Sequence, residues 1–497
     1  MIIVLGLAVG VVLVFHRFRL PVILGFLLTG LIAGPTGLHL LTDEEGIHLL
    51  SEIGVVLLLF VIGLEFSPKE FIAMRSTVLL GGGVQVGLSI ALTLAVALLS
   101  GLPWEQGVFL GFCISLSSTA IVLRVLQDRN QITSPQGRNA LGILIFQDII
   151  VVPMMLLTPI LAGKGGDVGM AILLLFGKII GVGVFLVLVA RYLLPRILDE
   201  IAKTKSRELF VLTTVLICFS VAGLTYSLGL SLALGAFLAG LLLADSDYSH
   251  QATGNILPFR EVFTSFFFVS IGMLLDLSFF IRHIHIILPL TIGVALLKFT
   301  AGSLAATLLK YPLRIAFLTG FALFQVGEFA FVLANVGQSN GLMDGELSQY
   351  FLSVSILSMA ATSFVMGRCE HWSDWLTGKA MPAALKRSGN QAQMAEVVKK
   401  ELNDHLIVIG FGLNGTNVAK AAQQSGIPYV VLDMNAERVK EEKKKGVPIV
   451  FGDAQDPFIL EHLHVYKARV AVVAISDPQA TRKIVASIRS ICRTVFV

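Results

Sequence analysis

Charge is scarce in this chain. Only 14% of its 497 residues are Asp, Glu, Lys or Arg, while 55% are hydrophobic, a balance too apolar for a soluble globular protein. Cysteine is scarcer still. Cys113, Cys218, Cys369 and Cys492 are scattered without metal-ligand spacing, so they read as packing residues and neither a metal site nor a disulfide is expected. No TVGYG-like run offers the carbonyl filter of a potassium channel. The net charge of +4 gives no reason to expect a nucleic-acid partner.

What the chain has in abundance is long apolar runs. About thirteen, at 2–15, 21–38, 49–66, 77–100, 106–127, 139–162, 169–192, 208–228, 231–244, 259–276, 284–309, 314–337 and 349–367, are of the length that crosses a bilayer. The first has no basic residue ahead of it and His16-Arg17-Phe18-Arg19 behind it, unlike a secretory signal. A retained first helix with its N-terminus outside is therefore expected. Thirteen crossings then place the C-terminus in the cytoplasm. Counting charge supports this: loops assigned inside hold about fifteen Lys and Arg, including Arg75, Arg129, Arg138, Arg196 and Lys203, against about two outside, Lys164 and Arg282. A multi-pass protein of the cytoplasmic (inner) membrane is the expectation.

Composition changes after Arg368. The sequence divides into a membrane part (1–368), a polar linker (369–403) opened by the interfacial anchors Trp372 and Trp375, and an α/β part (404–497). In the last, "HLIVIG", "PYVVLD", "VPIVFGD" and "VAVVAIS" read as strands and the segments between them as helices, which predicts a parallel, doubly wound sheet. Gly410, Gly412 and Gly415 form G-x-G-x-x-G between the first strand and helix. That spacing allows a tight turn and lets a phosphate approach the helix N-terminus. Asp433 ends the second strand, placed to accept from ribose hydroxyls. An acid there suits NAD(H) or an adenine mononucleotide better than NADP. The terminal "CRTVFV" reads as the start of a fifth strand, and a six-stranded sheet would need further chain.

Within the membrane part, "LIFQDIIVV" places Gln147 and Asp148 about ten residues into a helix. An acid at that depth costs at least ~2.5 kcal/mol and is a functional residue by default. Asp148 can hold a proton or a metal cation but not readily both, and Gln147 adds a neutral carbonyl. Lys298 lies mid-helix and stands as the counter-charge; Lys178 reads as a packing or snorkelling residue and Glu65 as interfacial. "CISLSSTAIVLR" sets Ser115, Ser117, Ser118 and Thr119 in one crossing, and "ALFQVGEFAFVL" sets Gln325, Gly327 and Glu328 in another. Small polar interruptions predict broken helices, and these fall in crossings five and twelve. The two correspond if 1–6 and 8–13 are inverted repeats about the seventh. Glu328 either neutralises half-helix dipoles or binds an ion.

These signatures, Ser117-Ser118-Thr119, Gln147-Asp148, Lys298, Gln325-Val326-Gly327-Glu328 and "VIGFGLNG…VVLD…FGDA", resemble the Kef-type potassium/proton antiporters of the monovalent cation:proton antiporter-2 family over essentially the whole chain. The resemblance implies an elevator-like exchanger with crossed discontinuous helices. Asp148 would be the shared cation and proton site, assisted by the serines and threonine. It also implies a C-terminal RCK (TrkA-N-like) domain binding adenine nucleotide, AMP or NAD(H), with Asp453 among the nucleotide residues. Its members pair as homodimers through membrane and RCK domains, and an ancillary regulatory subunit is a further partner it suggests. Sodium members with electrogenic exchange carry two adjacent acids; one acid beside Gln147 suits one-for-one exchange. Glutathione-gated members carry an acidic loop after the ninth crossing, where this chain has Asp245 and Asp247 followed by neutral "HQATGN".

The expectation is thus a K⁺/H⁺ antiporter, with Na⁺/H⁺ exchange the alternative. An RCK-gated channel lacks its filter. A membrane-anchored dehydrogenase lacks a substrate domain, so no enzymatic activity is expected.

Overall fold

The computed structural model describes residues 2–18, 21–35, 37–38, 44–65, 74–129, 131–132, 134–163, 194–227, 232–244, 246, 248–378, 403–455, 457–475 and 478–497, with 177, 181, 188, 189 and 192. Lys164, Lys178, Asp245, Asp247, most of the seventh run and 379–402 lie outside the described residues, as does the Glu65 side chain.

With no water to satisfy backbone groups in a bilayer, apolar segments of this kind close their own hydrogen bonds as helices. The first are α1 (Ile2–Arg17), α2 (Val22–Ala33), α3 (Glu44–Glu65), a π-helical turn (Thr77–Gly82) continuing as α4 (Gly83–Leu99), α5 (Trp104–Ser115), α6 (Thr119–Asp128) and α7 (Pro135–Leu161). They are followed by α8 (Leu194–Lys203), α9 (Arg207–Ser227), α10 (Leu232–Ala244), α11 (Ser249–Met273), α12 (Leu277–Arg282), α13 (Ile284–Leu308), α14 (Leu313–Leu323), α15 (Glu328–Asn340) and α16 (Gly345–Gly378). Among the described residues, seven spans are long and apolar enough to cross a membrane, the bent pair α14–α15 makes an eighth, and four shorter apolar helices accompany them. Every expected crossing but the seventh coincides with one of these.

One compact unit gathers Met1–Ser118, Leu144–Lys298 and Phe324–Ser363. Its helices meet backbone to backbone at glycines. A Cβ on Gly30 of α2 would strike the Val269 carbonyl of α11, and one on Gly272 of α11 would strike the Leu27 carbonyl of α2. Gly63 of α3 and Gly240 of α10 face each other in the same reciprocal way, against Phe237 and Phe60. Close approach of this kind replaces the hydrophobic driving force that lipid removes. The two pairs are the ones an inverted repeat would interchange: "FLLTG" in α2 matches "AFLAG" in α10, and "VIGLEFS" at the end of α3 matches "SIGMLLDLS" at the end of α11.

A second unit gathers Thr119–Ile143, Phe299–Leu323 and Phe364–Val497. It contains the α/β part: β1 (His405–Ile409), α17 (Leu413–Gln424), β2 (Tyr429–Asp433), α18 (Ala436–Lys444), β3 (Ile449–Phe451), α19 (Pro457–His462), β4 (Ala468–Val473) and α20 (Pro478–Ile491). The sheet is parallel in the order β3-β2-β1-β4. Alternate residues feed two apolar layers, Ile407, Ile409 and Leu432 into one and Val408, Val431 and Ile449 into the other, as a sheet covered by helices on both faces requires. Phe496 bridges to Val470 in parallel, beside β4 where the fifth strand is expected.

The expected domain boundary at 368 falls inside a helix. α16 runs on to Gly378, carrying Trp372 and Trp375. The change of composition marks where its polar partners begin, not where it ends. Arg314 Nε donates to Asp374 Oδ1 at 2.6 Å, and Lys483 of α20 reaches Glu370 at 3.3 Å and Asp374 at 3.1 Å.

Candidate functional site

Both predicted breaks are present. α5 ends at Ser115 and α6 begins at Thr119; α14 ends at Leu323 and α15 begins at Glu328, with a 52° bend between those two. The breaks cross in contact. Gly327 N–H donates to the Leu116 carbonyl at 3.0 Å, and a Cβ on Gly327 would collide with the Ser117 backbone. Only glycine lets the two extended strands come so close. Val326 N–H donates to Ser358 Oγ of α16 at 3.2 Å, which holds the second break from behind.

Unwinding leaves backbone groups without helical partners, and each must be met in a medium without water. Lys298 meets two of them. Fully buried, its Nζ donates to the carbonyls of Ile114 at 2.6 Å and Leu116 at 2.8 Å. It does not snorkel to an interface. The sequence suggests a counter-charge for Asp148; in the structure the Lys298 amine also closes the carbonyl end of α5, where a cation complements the helix dipole. Glu328, buried in the first turn of α15, occupies the matching N-terminal position for an anion.

Gln147 meets a third orphan group. Its Oε1 accepts from Ser117 N–H at 2.7 Å, and its Nε2 donates to Gln85 Oε1 at 2.7 Å. Gln85 in turn donates to Ser89 Oγ at 3.1 Å and to the Ser115 carbonyl at 3.2 Å. The amide expected to offer an oxygen to a cation is thus spent partly on fixing the break. The π turn before α4 supports it: a Cβ on Gly82 would strike the Phe146 side chain, so Phe146, just ahead of Gln147, packs directly against that turn. Gln85 escaped the sequence reading, although Gln85, Ser89 and Thr93 form a four-residue polar repeat down one face of an otherwise apolar helix, all buried.

Asp148 follows Gln147 on α7 but is only half-buried, whereas Gln147 is closed off. Asp148 thus keeps some exposure while its neighbour is structural. Ser117 and Ser118 are buried and Thr119 half-buried. Gln325 is fully buried, and neither of its amide atoms has a hydrogen-bond partner among the described residues. No cluster of three or more His, Cys, Asp or Glu side chains suited to a resident metal occurs among the described residues.

In the α/β part, the glycine turn has the form a phosphate cradle needs. Gly410 has φ +92°, and a Cβ on Gly415 would strike the Gly410 carbonyl, so helix and turn close on each other. Above Gly412 a Cβ would meet nothing, leaving open space beside the N-terminus of α17. Asp433 accepts from Phe411 N–H at 2.6 Å and Asn435 N–H at 2.7 Å, and Arg438 lies 3.4 Å away. Those bonds fix the carboxylate and leave acceptor capacity on Oδ1. Asp453 lines the same crevice and caps Gln455 N–H at 2.9 Å. The residues present fit a nucleotide.

A model of the transmembrane sodium/hydrogen exchanger family matches residues 3–367, and one of the TrkA-N domain matches 406–497. The chain is 34% identical over 481 residues to the glutathione-regulated potassium-efflux system protein KefC of Cronobacter sakazakii, covering 96% of this chain and 75% of that one. It is 33% identical over 490 residues to KefC of Salmonella typhimurium, covering 98% and 77%. Among solved structures, the sodium proton antiporter of Methanocaldococcus jannaschii shares the fold with a TM-score of 0.55 at 14% identity, over 76% of this chain and 97% of that one.

Proposed function

Because the chain belongs to the sodium/hydrogen exchanger family, we propose that it is a secondary antiporter exchanging K⁺ for H⁺, with Asp148 as the carboxylate both ions share. The observation that carries the reading is the pairing of a partly exposed Asp148 with a closed Gln147 that fixes the crossed breaks. K⁺ takes precedence over Na⁺ because the curated relatives at 33–34% identity are potassium-efflux proteins.

The chemistry follows from burial of charge. A bare carboxylate at mid-membrane resists crossing by at least ~2.5 kcal/mol, while a protonated or cation-bearing one is close to neutral. Movement therefore favours the loaded forms, and competition for one carboxylate makes the exchange one-for-one. Ser117, Ser118 and Thr119 supply further oxygens near the break. Gln147 and Lys298 keep the break in shape, and Glu328 balances the N-terminal dipole of α15. The core moves as an elevator within a homodimer in the cytoplasmic membrane, N-terminus outside.

An adenine nucleotide, AMP or NAD(H), occupies the crevice formed by Gly410, Gly412, Gly415, Asp433 and Asp453 and regulates exchange. An ancillary subunit is a further partner in this reading. The chain catalyses no covalent reaction.

The test is exchange in proteoliposomes. A K⁺ or Na⁺ gradient is imposed and luminal pH followed with a dye, for wild type and Asp148→Asn. A K⁺-driven pH change that ignores membrane potential and vanishes in D148N is expected. A response to Na⁺ alone would reassign the cation, and potential-driven K⁺ flux without proton movement would mean a channel.

A further inference from the structure

The crevice at the glycine turn is not lined by the α/β domain alone. Within the same compact unit, a cavity of ≈ 230 Å³ has Gly410, Gly412 and Asp433 on one side. On the other stand Ser134 and Arg138, from the start of α7, and Tyr311 and Arg314, from the start of α14. These are the helix that carries Gln147-Asp148 and the half-helix that leads into the second break.

Among the described residues, four cationic side chains line this cavity, and three are committed. Arg314 is held by Asp374, Arg438 by Asp433, and Lys483 by Glu370 and Asp374. The fourth, Arg138, is exposed, and its guanidinium has no hydrogen bond or ion pair among the described residues. The turn itself, "GFGLNG", contains no basic side chain. From its own domain a phosphate seated there would meet backbone N–H groups, the dipole of α17 and two cations, Arg438 and Lys483, already held by carboxylates, leaving much of its charge uncompensated. An uncommitted guanidinium across the cavity is the complementary group, since its planar fork binds phosphate oxygens in pairs.

We propose that Arg138 is a phosphate ligand supplied to the nucleotide crevice by the transport helix itself, so that bound nucleotide is clasped between the Gly410–Gly415 turn and the first turn of α7. The proposal rests on the reading that this crevice takes an adenine nucleotide. Arg138 lies on the helix whose later residues include Asp148. Beside Arg138, Asn139 Nδ2 donates to Thr319 Oγ1 at 3.2 Å, tying the same turn to α14. Nucleotide occupancy therefore acts on the starts of both α7 and α14.

The experiment is titration calorimetry of the full chain in detergent with AMP, NADH and adenosine, on wild type, Arg138→Gln and Arg138→Lys. For each phosphate-bearing probe that wild type binds, R138Q should lose roughly tenfold or more in affinity, the loss expected for one charge-assisted hydrogen bond. R138K should keep most of it, and adenosine binding should stay within about twofold, because adenosine carries no phosphate. Unchanged AMP and NADH affinity in R138Q, or an equal loss for adenosine, would overturn the role of Arg138 while leaving the crevice a nucleotide site. No binding of any probe by wild type would overturn both that site and the proposal.

Discussion

Ser117 N–H donates to Gln147 Oε1 at 2.7 Å, across thirty residues of sequence. The bond joins the point where one helix has come undone to the residue immediately before the half-buried acid. Position 147 thereby sets where Asp148 sits relative to the break, and its amide must both accept and donate to do so.

Gln147→Leu should therefore damage exchange without touching the carboxylate. It leaves Ser117 N–H and Gln85 Oε1 buried and unmet, each costing about 1–3 kcal/mol. A lower melting temperature and a loss of exchange of at least about tenfold are expected. The measurements are thermal unfolding in detergent and dye-monitored exchange. Wild-type values for both would mean that the amide is incidental.

For Lys298, two substitutions separate capping from charge. Lys298→Met removes the donor and strands the carbonyls of Ile114 and Leu116, again at about 1–3 kcal/mol for each buried group. Lys298→Gln keeps an amide donor without the charge and should recover part of the melting temperature. Exchange that tracks stability across the pair would identify Lys298 as a cap of the broken helix. Exchange lost equally in both, with Gln stable, would point to the charge itself.

How much of this was legible beforehand follows from what makes a signal local. Asp148, Lys298 and Glu328 stood out because a charge in an apolar run is conspicuous from one segment alone. The breaks at 116–118 and 324–327 were legible for the same reason, as small polar residues where a helix should be apolar. The partners were not. That Lys298 serves α5 carbonyls, and that Gln147 faces Gln85, depends on contacts 182 and 62 residues apart, which no window of sequence contains. That α16 runs on to Gly378 is not evident from composition, because Glu370 and Asp374 look like linker, and only their bonds to Arg314 and Lys483 show why a helix keeps them. The Rossmann turn, whose glycines, strand and acid lie within one short stretch, needed no such help.

In the α/β part, His405 makes stability depend on pH. Its Nε2 faces the Leu463 carbonyl at 3.0 Å and its other ring nitrogen has no hydrogen-bond partner among the described residues. Burial pushes its pKa below the ordinary 6.5, only partly opposed by the Leu463 contact. The folded domain thus keeps His405 neutral while the unfolded chain takes up the proton. Stability should fall as pH drops through 6.5, and go on falling until the folded value is reached. Amide exchange at β1 in the full chain, measured above and below pH 6.5, should show this slope, and His405→Gln should flatten it. An unchanged slope in H405Q would assign the acid sensitivity elsewhere.

The tightest contact at the crossed breaks leads to the last expectation. A methyl group on Gly327 would run into the carbonyl carbon and oxygen of Ser117 and the nitrogen of Ser118. These are backbone atoms, so no rotamer change can make room, and the two breaks must separate. Gly327→Ala should cost about 1–3 kcal/mol, the usual range for overpacking, and stretch the bond from Gly327 N–H to the Leu116 carbonyl. Because Lys298 also holds Leu116, the shift reaches the cap as well, and exchange should fall by more than the loss of folded protein explains. Gly293→Ala is the control, since a Cβ there meets nothing within 4 Å; it should melt and transport as wild type does. If Gly327→Ala matched that control, the breaks would have slack at their crossing, and the ion site would not depend on how closely they approach.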